Sequence, residues 1–127
     1  MKILVKDVFD YQSYPGLRLI AGKGGLDQEI SVVSVFDSPD FHQSLTGGEF
    51  LITTGYITRH NPLILKEYIE KMYENGAVGL GIKLKYIGHL PVEVIELADE
   101  LAFPLIIIPD DMKFIDINCI VSQLVNK

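Results

Sequence analysis

Leu105-Ile106-Ile107-Ile108, closed off by Pro104 on one side and Pro109 on the other, is the longest unbroken apolar run in the chain. Four residues suit a strand and fall short of a helix, and the prolines stop the run at both ends. A strand that is apolar at every position, and not at every second one, must be covered on both faces. That is the habit of parallel sheets, whose crossover helices lie on the sheet surface.

Working backward, Pro91 opens a helix with Val94, Ile95, Ala98 and Leu101 on its inner side. Glu93, Glu96, Asp99 and Glu100 fall on the outer side, and Phe103-Pro104 ends it. Val78–Lys83 reads as a strand, in which Gly79 and Gly81 permit close backbone approach. Asn61-Pro62 is a helix-start signature; Leu65, Tyr68, Ile69 and Met72 then recur at helical spacing until Asn75-Gly76 supplies the stop. Glu49–Thr53 and Ile30–Phe36 read as strands, and between them Ser38-Pro39 predicts another helix, broken by Gly47-Gly48. Nearer the start, Leu17–Ala21 is a strand, and Asp7 is predicted to cap a short helix through Tyr11, ended by a turn at Ser13-Tyr14-Pro15-Gly16. Phe114, Ile117, Ile120, Val121 and Leu124 predict a last amphipathic helix that runs to the end of the chain. A sequence that stops within such a pattern is expected to be a module of a longer protein. From Ile30 onward strand and helix alternate, which predicts an α/β fold. The expected architecture is a single domain, residues 1–127, with a largely parallel or mixed central sheet of about five strands, flanked by helices and joined by right-handed crossovers.

Composition limits the partners. Of 127 residues 48% are hydrophobic, which excludes a disordered chain. The scaling laws predict about 6,800 Å² of accessible surface once folded. No apolar run approaches the ~18–20 residues of a membrane span, so no membrane association is expected. Eleven Lys and Arg against seventeen Asp and Glu leave a net charge of −6. Phosphate neutralisation supplies most nucleic-acid affinity, and here only Lys83 and Lys85 stand close together, so this chain alone is not expected to bind nucleic acid. Lys2, Lys6 and Asp7 interrupt the start too early for a secretory signal, and a single cysteine, Cys119, makes no intrachain disulfide. Both point to a reducing cytoplasm.

The chemistry-bearing residues do not assemble into a known catalytic pattern. Gly22-Lys23-Gly24-Gly25 lacks the Gly-Lys-Ser/Thr end of a phosphate loop, the dinucleotide fingerprint fails at Asp27, and Gly79-x-Gly81 fails at Leu84. A tight inter-strand turn is the better account of that glycine stretch. His42, His60 and His89 have no metal-ligand spacing, and Asp110, Asp111 and Asp116 read as loop and capping residues. Cys119 falls on the apolar side of the last helix, where a free thiol is inert. No enzymatic activity, cofactor or metal is expected.

One geometric argument remains. Open parallel sheets bind small molecules outside the carboxyl ends of their strands. Those ends are predicted to present Asp37-Ser38, Thr53-Thr54-Gly55-Tyr56, Lys83 and Pro109-Asp110 along one edge. Each also has a plainer role: Ser38 as a helix cap, Thr54 satisfying backbone groups, Lys83 paired with Asp37.

Several stretches carry a resemblance. They are Leu19-Ile20-Ala21-Gly22 with Gly25-Leu26-Asp27, Val33 through Asp40, and Gly48-Glu49-Phe50-Leu51-Ile52-Thr53-Thr54-Gly55-Tyr56. Gly76 through Lys83, Pro104-Leu105-Ile106 with Ile108-Pro109, and Phe114 with Asp116-Ile117 complete them. In this order they resemble the N-terminal domain of the purine catabolism regulator (PucR-type) family of bacterial transcription regulators. Two positions depart from the pattern: Asp37 stands where glutamate is usual, and Ser44 where tryptophan often stands. The resemblance implies a regulatory, effector-sensing domain at the front of a longer regulator whose DNA-binding helix-turn-helix domain is not part of these residues. It implies control of purine catabolism or related nitrogen metabolism, a purine-related or other nitrogen metabolite as effector, a homodimer, and contact with the remaining domains. Carried over position by position, the ligand-binding residues it implies are Asp37, Ser38, Glu49, Thr53, Thr54, Gly55 and Lys83. The alternative expectation is a dimerisation or docking scaffold of the same regulator that binds no small molecule.

Overall fold

A computed structural model of the chain describes residues 2–9, 16–117 and 119. Its regular elements are α1 (Val5–Phe9), β1 (Arg18–Ala21), β2 (Val32–Val35), β3 (Glu49–Thr53), α2 (Leu65–Glu74), β4 (Gly79–Lys83), α3 (Val92–Glu100) and β5 (Leu105–Ile108). Single 3₁₀ turns lie at Lys23–Gly25, Phe41–Ser44, Tyr56–Thr58 and Pro62–Ile64. The accessible surface is 6743 Å², close to the value that scaling predicts for a chain folded into one compact body.

The strands form one mixed sheet in the order β1-β5-β4-β3-β2. β2 through β5 are parallel, with Val35 beside Ile52, Thr53 beside Ile82 and Lys83 beside Ile108. β1 joins β5 antiparallel at the far edge. β5 is buried at every position, as its unalternating apolar sequence requires, and so is β3, although its end residues Glu49 and Thr53 are polar. Successive parallel strands each advance one place in the same direction, so right-handed crossovers carry α2 and α3 to the same face. There Leu65, Ile69 and Met72 of α2, with Val94 and Ala98 of α3, pack on Leu51, Leu80, Ile82, Leu105 and Ile107. Complete burial of each large side chain in that layer contributes about 1.5–3 kcal/mol. The opposite face, Phe50, Ile52, Ile106 and Ile108, is covered by Val5 and Val8 of α1 and by Met112 and Ile117.

Three local expectations are corrected. Asp7 does not precede the first helix but lies within it, its carboxylate reaching back to accept from the Leu4 backbone N–H at 2.9 Å. The predicted helix after Ser38-Pro39 is only the 3₁₀ turn Phe41–Ser44. The Ser38 hydroxyl donates to Asp40 Oδ1 at 2.7 Å instead of capping a backbone, and Phe41 must turn inward to meet Phe36 and Tyr68, with ring centroids 4.4 and 5.7 Å away. Gly47 and Gly48, both at positive φ, then lead straight into β3. Of the last helix, Phe114 through Ile117 are helical and Ile117 is buried, whereas Ile120, Val121 and Leu124 lie outside the described residues, as does Tyr11.

α2 and α3 end in the same way. In each, the residue after the cap turns left-handed, so that its own N–H and the next one bond back into the last turn: Gly76 and Ala77 to Tyr73 and Met72 oxygens, Ala102 and Phe103 to Asp99 and Ala98 oxygens. Gly76 takes this conformation freely, while Ala102 holds it at φ 51 with a Cβ. A left-handed L-residue costs roughly 1–2 kcal/mol. Ala102→Gly is therefore expected to stabilise the chain by about 1 kcal/mol after the entropy of a freer unfolded state is counted, read as a higher urea midpoint at unchanged slope.

Candidate functional site

The carboxyl ends of β2 and β3 lie side by side and open into two loops. β3 continues as Thr53-Thr54-Gly55-Tyr56, whose hydroxyls satisfy the backbone: Thr53 Oγ1 accepts from the Gly55 N–H at 3.1 Å and Thr54 Oγ1 from the Tyr56 N–H at 3.3 Å. Gly55, at φ 81, carries the reversal, and its carbonyl oxygen accepts from both the N–H and the hydroxyl of Thr58 at 3.1 and 2.9 Å. The turn is thereby locked and Tyr56 is set at the rim. Its ring meets Tyr86, from the loop after β4, edge-on at 5.0 Å, and the Arg59 guanidinium lies 3.7 Å from its centroid while donating to the Tyr56 carbonyl at 2.8 Å.

Between these loops is a cavity of about 450 Å³. Its polar lining is Asp37, Thr53 and Thr54; its aromatic lining is Phe36, Tyr56, Tyr86 and Phe114, completed by Val35 and Ile57. A concave surface of aromatic rings with a few convergent polar groups is the usual make-up of a small-molecule site. The chain has larger hollows, one of about 550 Å³ at the amino ends of the strands, but that one is lined by Gly24, Gly25, Gly76, Tyr73, Glu74 and Phe103 among others and holds none of the side chains from the carboxyl ends of the strands. Convergent chemistry, not size, singles out the smaller one.

The residues expected at a site are thus partly gathered. Asp37, Thr53 and Thr54 line the cavity and Gly55 shapes its wall. Lys83 is one step removed: its ammonium donates to the Asp110 carbonyl at 3.3 Å and sits 5.2 Å from the Phe114 ring centre, so it stands against a lining residue and makes no ion pair with Asp37. Among the described residues the ion pair is Lys6 with Asp27, on the surface at 3.2 Å. Ser38 is turned toward Asp40, whose carboxyl that hydrogen bond holds below the ordinary range. Glu49 is not brought to the site. It lies at the amino end of β3, four residues and so about 13 Å from Thr53, where it ties down the preceding loop: its carboxylate accepts from the Thr46 N–H at 2.6 Å, the Thr46 hydroxyl at 3.2 Å and the Gly47 N–H at 2.9 Å.

Tyr86 and Phe114 escaped the sequence reading. Tyr86 belongs to the exposed stretch directly after a parallel strand, a position that could have marked it; Phe114 was read as part of the family resemblance and of an apolar helix face, neither of which placed it at the site. The sheet also lacks a point where strand order reverses, the usual place for a crevice in open α/β sheets. The cavity is built by the loops themselves. Among the described residues, no three His, Cys, Asp or Glu side chains gather as metal ligands, and no helix is long and apolar enough to cross a membrane.

Comparison with known proteins shows a family resemblance along nearly the whole chain. The model of the purine catabolism regulatory protein-like (PucR) family matches residues 7–125. The chain is 39% identical over 124 residues to the purine catabolism regulatory protein of Bacillus subtilis (strain 168), covering 96% of this chain and 23% of that protein. It is 27% identical over 106 residues to the transcriptional activator PmfR of Paenarthrobacter nicotinovorans, covering 83% of this chain and 22% of that protein. It spans less than a quarter of the length of the curated relatives it matches.

Proposed function

The chain belongs to the purine catabolism regulatory protein-like family of transcription regulators, and on that footing we propose that it is the regulatory domain of such a regulator and senses a small effector in the cavity at the ends of β2 and β3. The observation that carries this reading is the convergence there of Asp37, Thr53 and Thr54 with four aromatic rings. Rings offer flat apolar contact, and the carboxylate and hydroxyls accept from N–H groups, which suits a purine, a product of its breakdown, or another small nitrogen metabolite. DNA contact is left to the rest of the longer protein, in keeping with the net charge of −6. We propose no catalytic role for the cavity. An effector acts by preferring one arrangement of the loops over another; equal affinity for both would shift nothing.

Thermal unfolding against a panel of purines, ureides and small nitrogen metabolites tests this. A compound at ~100 times its dissociation constant adds about 2.7 kcal/mol, which for a chain of this length raises Tm by roughly 8–14 °C. Asp37→Ala and Tyr56→Ala are expected to abolish the rise, and Glu100→Ala, on the outer side of α3, to preserve it. A rise that survives both cavity variants would place the effector elsewhere. The second reading, a scaffold that works by pairing, is favoured by a different feature: the exposed outer edge of β2.

A further inference from the structure

The sheet has two edges, and among the described residues only one is defended. Exposed edge strands invite pairing with other chains, and proteins blunt them with charges, prolines or bulges. β1 carries the exposed Arg18 and a register shift between Leu19 and Ala21 against β5. β2 has neither. Val32-Val33-Ser34-Val35 holds no charge and no proline, runs in unbroken register with β3, and leaves Val32 and Val35 47% and 51% exposed. Among the described residues, the amino-terminal segment meets this side below the strand, where Leu4 bridges Glu29 and the Ile30 N–H donates to the Ile3 carbonyl at 2.7 Å.

We propose that the outer edge of β2 pairs with the same edge of a second copy of this chain, the two strands antiparallel about a two-fold axis. Charge selects this occupant. A chain of net charge −6 repels its copy except across a neutral patch, and Ser31 through Phe36 is uncharged, bounded by Glu29 and Asp37. A two-fold contact presents the same surface twice, so one undefended strand satisfies both sides.

The same reasoning narrows the register, and of the centres that remain Ser34 pairs the longest uncharged stretch. Opposed residues in an antiparallel pair point to one face, and a two-fold axis through the sheet keeps the faces matched, so the strand must be centred on a residue and not between two. Centring on Val33 sets Glu29 against Asp37 of the partner subunit, like charges directly opposed. Centring on Val32 collides with the segment already bonded at Ile30. Centring on Ser34 opposes Val32 to Phe36 of the partner subunit and Val33 to Val35 of the partner subunit, sets Ser34 against its own copy, and leaves Asp37 facing a serine. This pairing does not depend on an effector, and its test reads the edge, not the cavity.

Sedimentation of the chain from micromolar to millimolar concentration is expected to show a dimer, and Val32→Lys, at a half-exposed position, to yield a folded monomer by circular dichroism. In a Cys119→Ser background, Ser34→Cys is expected to link to itself on oxidation, since opposed Cα atoms lie about 4.5–5.5 Å apart, within disulfide reach. Val33→Cys, displaced along the strand from its own copy, is expected to link at least ~10-fold more slowly. A monomer at every concentration, with no Ser34→Cys linkage, overturns the proposal and leaves the edge to a strand from elsewhere in the longer regulator. A dimer that Val32→Lys leaves intact while Ser34→Cys stays unlinked places the interface on another surface. Equal linkage at both positions refutes the register. Should Val32→Lys fail to fold, the cysteine pair decides.

Discussion

Gly22→Ala is expected to remove much of the chain's stability at room temperature. Gly22 stands at φ 80, and a Cβ there would lie 2.0 Å from the Phe103 carbonyl oxygen, 2.2 Å from its carbon and 2.5 Å from the Pro104 nitrogen. These are backbone atoms between α3 and β5, and no rotamer change moves them aside. Nor can the turn retreat, because the Gly22 N–H is held by Asp99 Oδ1 at 2.8 Å and Gly25 is pressed equally close to the Ala102 carbonyl. Relief requires β1 and its turn to leave the sheet edge, which puts the cost at or above ~4–5 kcal/mol, the extreme for one substitution, against the ~5–15 kcal/mol by which such domains are stable. Gly88→Ala separates the causes. Gly88 has nearly the same φ, 79, but nothing within 4 Å of the added carbon, so only the conformational strain of about 1–2 kcal/mol applies. Equal urea midpoints for the two variants would mean that the turn does not approach the backbone this closely.

Glu49→Ala carries the second largest effect, about 2–3 kcal/mol. The carboxylate is 4% exposed and accepts three hydrogen bonds that order Thr46 and Gly47 at the mouth of β3. Bonds to a charged acceptor contribute about 1.5–3 kcal/mol, and removing the acceptor strands the donors, although the three do not add. A pH signature follows. Burial opposes ionisation of Glu49, but the backbone N–H groups of Thr46, Glu49 and Gly47 and the Thr46 hydroxyl more than reverse that, and the carboxyl lies below its ordinary value. The unfolded chain then binds the proton more readily than the folded one. The contribution is fully present above the ordinary glutamate value, near ~4.3, and is lost as pH falls through the lower folded value. The stability gap between the natural chain and Glu49→Gln, from urea midpoints, should accordingly shrink in acid. A gap that stays constant from neutral pH to pH 3 would remove the charge from this account.

Glu49 also shows where reading a sequence stops. The resemblance placed it beside Thr53 and Thr54 because all three belong to one short motif, yet a strand separates its two ends by its full length. Whether a motif residue serves a site or a loop depends on which end it occupies and on what folds back over it. Asp37, Thr53 and Thr54 were legible for the converse reason: alternation of strand and helix sets the direction of each parallel strand, and direction decides which residues emerge at the carboxyl edge. The misread helix after Ser38 had a sound local signature that tertiary demand overrode. Phe41 is needed between Phe36 and Tyr68, and so few residues before Gly47 and Gly48 cannot both turn inward and complete a helix.

By itself, the sequence determined the elements that local chemistry dictates. Leu105–Ile108 had to be a strand covered on both faces; Leu65, Tyr68, Ile69 and Met72 had to lie along one helix face; Gly76 had to end that helix. Each follows from hydrophobic period and backbone freedom within about a dozen residues. Only the tertiary structure decided that β1 runs antiparallel beside β5, that Tyr86 and Phe114 close the cavity opened by Asp37 and Thr54, and that β2 is the edge left bare. Those outcomes depend on which strands become neighbours. That choice is made by the joint burial of surfaces far apart in the chain, and no local pattern records it.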